Sequence, residues 1–179
     1  MFTIRRITEE NKADINLSNE TFPVWGKMIP FFDGKIWSYQ TEKFPEEKQY
    51  EMCFPNFEND FDAIKKEYFF AGAYNDRKEC IGLAVYKKDW FDYLYLDDLK
   101  VKHDYRGKGI GKMLIEEGKQ IALENGYHGI YTIGQDNNLS ACLFYIHNGF
   151  VIGGLNTQVY KGTKQEGKSD IYFYLDVQK

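Results

Sequence analysis

The junction Leu99-Lys100-Val101-Lys102-His103-Asp104-Tyr105-Arg106-Gly107-Lys108-Gly109-Ile110-Gly111-Lys112 carries the most information in this chain. Before it, Tyr93 to Val101 reads as a strand rich in aromatic and apolar residues. After it, Ile110, Met113, Leu114, Ile121 and Ala122 recur at helical spacing and stop at Asn125-Gly126, a natural left-handed end. Arg106 to Gly111 therefore links a strand to a helix N-terminus, where free backbone N–H groups and the helix dipole favour an anion such as phosphate. Five basic residues, Lys100, Lys102, Arg106, Lys108 and Lys112, stand there against Asp104 alone, a local charge of +4 in a chain of net charge −4, which leaves −8 elsewhere. Two common phosphate loops fail on spacing. A Walker A loop needs Gly at Arg106 and Ser or Thr at Met113, and the dinucleotide fingerprint needs Gly at Lys112. A bare turn does not require three glycines set among so many cations.

Upstream of the junction, Tyr68 to Tyr74, the turn Asn75-Asp76-Arg77-Lys78 and Cys80 to Tyr86 read as an antiparallel hairpin. Phe2 to Ile7 alternates like a strand, and Thr8 is placed to cap a helix over residues 9–19. Thr21 to Asp62 holds the four prolines and the aromatics Phe22, Trp25, Phe31, Phe32, Trp37, Tyr39 and Phe44, a pattern that predicts short helices and loops over an apolar interior and a place where a substrate could be lined. Downstream, Gly129 to Ile133 reads as a buried strand, Asn138 to Asn148 as a helix closed by Gly149, and Phe150 to Thr157 and Ile171 to Val177 as two more strands. The class is α/β (α+β), with a largely antiparallel sheet that turns parallel around its strand, helix, strand unit and is flanked by helices.

Length and composition narrow the field further. At 179 residues there is room for one domain, 1–179, with a proper core. No apolar run approaches the ~18 residues of a spanning helix, and the N-terminus has no apolar signal core, so neither membrane insertion nor secretion is expected. Cys53, Cys80 and Cys142 are odd in number and widely spaced, which argues against a disulfide framework and a structural zinc site and for a reducing, cytoplasmic setting. His103, His128 and His147 lack metal-ligand spacing, so no metal is expected. The acidic balance and the lack of a long basic run argue against a nucleic-acid partner. A homodimer is left open.

The pattern Arg106-x-x-Gly109-x-Gly111 after a strand ending Leu99-x-Val101 resembles the acetyl-CoA motif of the GNAT N-acetyltransferases. A second motif of that family, Asn-x-x-Ala-x-x-x-Tyr, falls at Asn138, Ala141 and Tyr145, followed by Gly149-Phe150. Phe22-x-Val24-x-Gly26-Lys27-x-Ile29-Pro30, Gln135-Asp136-Asn137-Asn138 and Phe150-x-Ile152-Gly153 are similar to the streptothricin acetyltransferases within it. The resemblance implies a GNAT fold and acetyl-CoA as cosubstrate. It further implies that backbone groups of Leu99, Lys100 and Val101 pair with the pantetheine arm, that Arg106, Gly107, Lys108, Gly109, Ile110, Gly111 and Lys112 hold the pyrophosphate, and that Asn138 binds the arm farther along. An N–H near Val101 would polarise the thioester carbonyl. Where members of the family usually carry Glu-Asp, this chain has Asp97-Asp98.

Helical spacing agrees with the second motif: at about 100° per residue Asn138, Ala141 and Tyr145 share one line, while Leu139, Cys142, Leu143 and Ile146 form a core stripe. Acetylating an alkylamine at pH 7 requires removal of a proton at ~4.6 kcal/mol, for a pKa of ~10.4. Asp97, Asp98 and Asp136 are the candidate acceptors, with Asp97 preferred as general base and Asp98 and Asp136 as substrate-binding charges; strand alternation would allow only one of Asp97 and Asp98 on a given face. A water chain could carry the proton instead. Tyr145 is the candidate acid for the departing thiolate. The expected acceptor is a small cationic amine, on a streptothricin-type antibiotic. Acetylation of an aminoglycoside, a polyamine or a protein N-terminus, and a non-catalytic acyl-CoA-binding module, are the competing readings.

Overall fold

The computed structural model describes residues 2–177. The chain divides into two compact units, the first made of Met1–Glu20, Phe54–Ile130 and Asp176–Lys179, the second of Thr21–Cys53 and Tyr131–Leu175.

The first unit is built on strands β1 (Thr3–Arg6), β6 (Tyr68–Tyr74), β7 (Cys80–Lys87) and β8 (Tyr93–Val101), paired antiparallel in that order. The predicted hairpin and third strand are present at their expected positions. Helix α2 (Ile110–Glu124) buries Ile110, Leu114, Ile121 and Ala122 as its periodicity predicts, but Ile115 takes the core position expected of Met113, which is 37% exposed, and Gly126 adopts φ +78° just beyond the helix. A second cluster joins Ile7, Ile15, Phe61, Phe70, Leu83 and Val85, with Phe61 coming from the single-turn helix α1 (Phe61–Ile64). The helix expected over residues 9–19 is a shorter 3₁₀ segment, Glu9–Asn16, with a non-helical break at Asn11. Thr8 does cap the segment, the Asn11 side chain accepting from the Thr8 N–H at 2.9 Å as half of a capping box, while Asn11 also donates to the Tyr74 hydroxyl on β6, a tertiary tie at the residue where the helix breaks.

The second unit contains β2 (Phe22–Val24), β3 (Gly26–Phe32), β4 (Trp37–Lys43), β5 (Tyr50–Met52), the greater part of β9 (Gly129–Gln135), α3 (Leu139–His147), β10 (Val151–Asn156) and most of β11 (Asp170–Asp176). Strand order here is β9-β11-β10, with β10 and β11 antiparallel. Residues 21–62 correct the sequence reading, because nearly half of the segment is β-structure and its helical content is confined to a 3₁₀ turn at Glu46–Lys48 and the start of α1. β3 and β4 form a seven-pair hairpin, and β2 pairs with β5. Pro30 lies within β3, opposite Tyr39. Counting back from the Asp33 N–H, which donates to Ile36 O, alternation leaves position 30 without a ladder bond to donate, and proline is tolerated there. Among the described residues no helix is long and apolar enough to cross a membrane.

Candidate active site

In the first unit β8 ends at Val101, a 3₁₀ turn spans His103–Tyr105, and the chain enters α2 through Gly107 at φ +72° and Gly109 at φ +80°. Both values lie in the left-handed region that favours glycine. A Cβ built on either glycine would meet nothing within 4 Å, so the loop's outer side is open. The first N–H groups of a helix lack intrahelical partners, and those of Ile110, Gly111 and Lys112 stand at this mouth. Ile110, fully buried, anchors the helix start. Open space, left-handed glycines and unpaired amides together fit a pyrophosphate.

The cations are partly engaged in shaping this loop. Arg106 Nε donates to Val101 O at 3.0 Å, and Lys108 Nζ donates to Asp104 O at 2.8 Å while lying over the Tyr105 ring. Glu20 accepts from the His103 N–H and lies 3.7 Å from Arg106. The sequence reading missed Glu20, since nothing in its local context links it to a loop more than eighty positions away.

One strand earlier, Val85 pairs with Asp98 and Tyr86 with Leu96, which leaves Asp97 as the extra residue of a β-bulge. The alternation expected to separate Asp97 from Asp98 does not hold across a bulge. Asp98 forms an ion pair with Lys100 at 2.7 Å. Asp97 belongs to an exposed residue, yet its carboxyl loses part of its hydration and sits near the Asp98 charge, so its pKa is raised, with Lys87 acting in the opposite sense.

In the second unit Asn138 caps α3, its side chain accepting from the Ala141 N–H at 3.2 Å, which leaves Nδ2 as a donor. Tyr145 is 8% exposed, with its ring against Phe144, Phe150 and Phe173 at centroid distances of 5.4–5.6 Å. This modifies the predicted helix faces: Leu139, Cys142 and Tyr145 are the buried positions, and Leu143 and Ile146 are only half-buried. Aromatic partners from β11 and from the turn after α3 draw Tyr145 inward, a tertiary effect that helix spacing does not encode.

Asp136 lies between β9 and α3, its carbonyl accepting from Met28 N and its N–H donating to Ser169 O, both at 2.9 Å. Burial raises its carboxyl pKa, opposed by backbone N–H bonds from Ser169 and Asn137 and by the charge of Lys27. The motif at residues 22–30 has a structural reason here: β3 runs beside the 135–138 turn, with Gly26 bridging to Asn138, and a Cβ on Gly26 would lie 2.4 Å from Glu42 O. Trp25 Nε1 donates to Ser140 Oγ at 2.8 Å on α3. Among the described residues no group of three or more His, Cys, Asp or Glu is arranged to hold a metal.

Comparison with known proteins bears on this geometry. The acetyltransferase (GNAT) family matches residues 31–150. Streptothricin acetyltransferase A of Bacillus subtilis (strain 168) is 35% identical over 173 residues, 96% of this chain and 98% of that protein. The crystal structure of a protein assigned as a streptothricin acetyltransferase from Bacillus anthracis str. Ames, in complex with acetyl coenzyme A, superposes with a TM-score of 0.86 at 31% identity, covering 98% of this chain and 99% of that one. A nourseothricin acetyltransferase structure shares the fold, with a TM-score of 0.79 at 20% identity and 99% coverage of both chains.

Proposed function

The chain belongs to the GNAT acetyltransferase family, and on that premise we propose that it transfers the acetyl group of acetyl-CoA to a primary amine of a streptothricin-type antibiotic, conferring resistance. The observation that carries the substrate assignment is the end-to-end similarity to streptothricin acetyltransferase A, which extends beyond the donor-binding motifs into the residues 21–53 segment. The family match runs through residues of both units, which supports reading 1–179 as one acetyltransferase domain. Three free cysteines suit a reducing, cytoplasmic setting.

Acetyl-CoA supplies an activated acyl thioester. In this reading the amides of Gly107 to Lys112 hold the pyrophosphate, the backbone of Leu99, Lys100 and Val101 aligns the pantetheine arm, and an N–H near Val101 stabilises negative charge on the carbonyl oxygen. Asn138 Nδ2 donates to the arm. Asp97 takes the proton of the attacking ammonium, directly or through water, and its raised pKa brings it closer to that task. Tyr145 gives a proton towards the departing sulfur. A phenol of pKa ~10 facing a thiol of ~8.5 is uphill by ~2 kcal/mol for complete transfer, so its help is greatest while the C–S bond is breaking. Asp98 and Asp136 draw in the cationic acceptor. Acetylation would remove one positive charge from the drug.

The test is CoA release with streptothricin beside an aminoglycoside, a polyamine and a peptide N-terminus. Turnover specific to streptothricin is expected; release with another amine alone would reassign the acceptor, and release with none would leave a binding module.

A further inference from the structure

The turn between β9 and α3 holds two buried side-chain oxygens, Asp136 Oδ1 and Asn137 Oδ1, that have no hydrogen-bond partner among the described residues. Backbone demand in the turn is otherwise met, with Asn138 N donating to Gln135 O and Asp136 bonded on both flanks. Asn137 is 5% exposed, and its orientation is fixed from one side, Nδ2 donating to Tyr50 Oη at 3.2 Å. Folded proteins pair nearly all buried polar atoms, and an orphan typically costs ~1–3 kcal/mol, so two on adjacent residues need a reason. Both are acceptors and one belongs to a carboxylate. Their complement is a group that only donates and carries positive charge, which describes a protonated amine with its three N–H bonds.

We infer that Asn137 is a specificity-determining residue, its side-chain carbonyl joining Asp136 in receiving the N–H donors of the amine-bearing antibiotic, with Tyr50 as the cover that yields to admit it. The inference rests on the function proposed above. The cover is light: Tyr50 is 47% exposed and begins a three-residue strand whose partner, β2, is equally short. Two-stranded ribbons of that size are marginal by themselves, so displacing Tyr50 costs little. Among the described residues nothing else on β5 reaches Asn137 through a hydrogen bond, and Tyr50 gains a defined role as the cover of the acceptor.

Steady-state kinetics with streptothricin on wild type, Asn137→Ala and Asn137→Asp test this, with acetyl-CoA titration calorimetry on each variant as the check of folding. Asn137→Ala should raise the KM for streptothricin about tenfold, with a smaller change in kcat and acetyl-CoA affinity intact. Asn137→Asp, nearly the same shape but acceptor-only, should keep the KM at or below the wild-type value. An unchanged KM in Asn137→Ala, or an equal rise in both variants, would overturn the inference while leaving the function standing. A wild-type enzyme inert to streptothricin would overturn the function and this inference together.

Discussion

Gly109 carries the phosphate-binding assignment at its most local level. With φ at +80° and open space where a Cβ would project, Gly109→Asp can fold, since aspartate tolerates the left-handed region better than most residues. Its carboxylate would face the pyrophosphate, and acetyl-CoA affinity measured by calorimetry should fall at least about tenfold. Asp97 gives a paired prediction. Because its folded pKa is raised above 3.8, the unfolded chain ionises first as pH rises, and ionisation opposes folding from that point upward. Asp97→Asn should therefore show a higher Tm than wild type at pH 7, a gain that vanishes below the ordinary carboxylate range. The same variant should lose turnover and flatten its pH dependence; a raised KM with turnover intact would make Asp97 a binding charge. Tyr145→Phe keeps the ring among Phe144, Phe150 and Phe173 and removes only the hydroxyl, so turnover should drop about 10- to 10⁴-fold while acetyl-CoA affinity barely moves.

At the scale of elements, α2 sits on the sheet of the first unit through one close approach. Tyr86 is fully buried and its hydroxyl donates to Leu114 O at 2.9 Å, while a Cβ on Gly118 would lie 2.2 Å from that same hydroxyl. On an exposed helix face Gly→Ala stabilises by about 1 kcal/mol; here Gly118→Ala should destabilise by about 1–3 kcal/mol in chemical denaturation, as overpacking does. Part of that loss should be recovered when Tyr86→Leu is added. The elements legible in sequence are those with strong local signals: the Tyr68–Tyr86 hairpin with its four-residue turn, β8 at Tyr93–Val101, and α2 and α3 with their apolar periodicity and terminal Asn and Gly. Residues 21–62 were not legible because β2 and β5 are three residues long, below any periodic window, and the β3–β4 hairpin exposes Phe31, Phe32 and Ile36, so no alternation marks it. The bulge at Asp97 and the inward pull on Tyr145 depend on partners distant in sequence, which is why the site's residue types could be named while their local geometry could not.

For the whole molecule, net charge −4 divides into +4 at residues 100–112 and −8 elsewhere, the distribution expected of an enzyme that must attract a polyanionic donor and a cationic acceptor. The similarity to streptothricin acetyltransferase A spans nearly the full length of both chains, 96% of this one and 98% of that one. The most direct measurement is mass spectrometry of streptothricin after incubation with the purified protein and acetyl-CoA. Addition of a single acetyl group, matched by stoichiometric CoA release and absent without the protein, is the predicted result. Unmodified streptothricin alongside a protein that binds acetyl-CoA would contradict it.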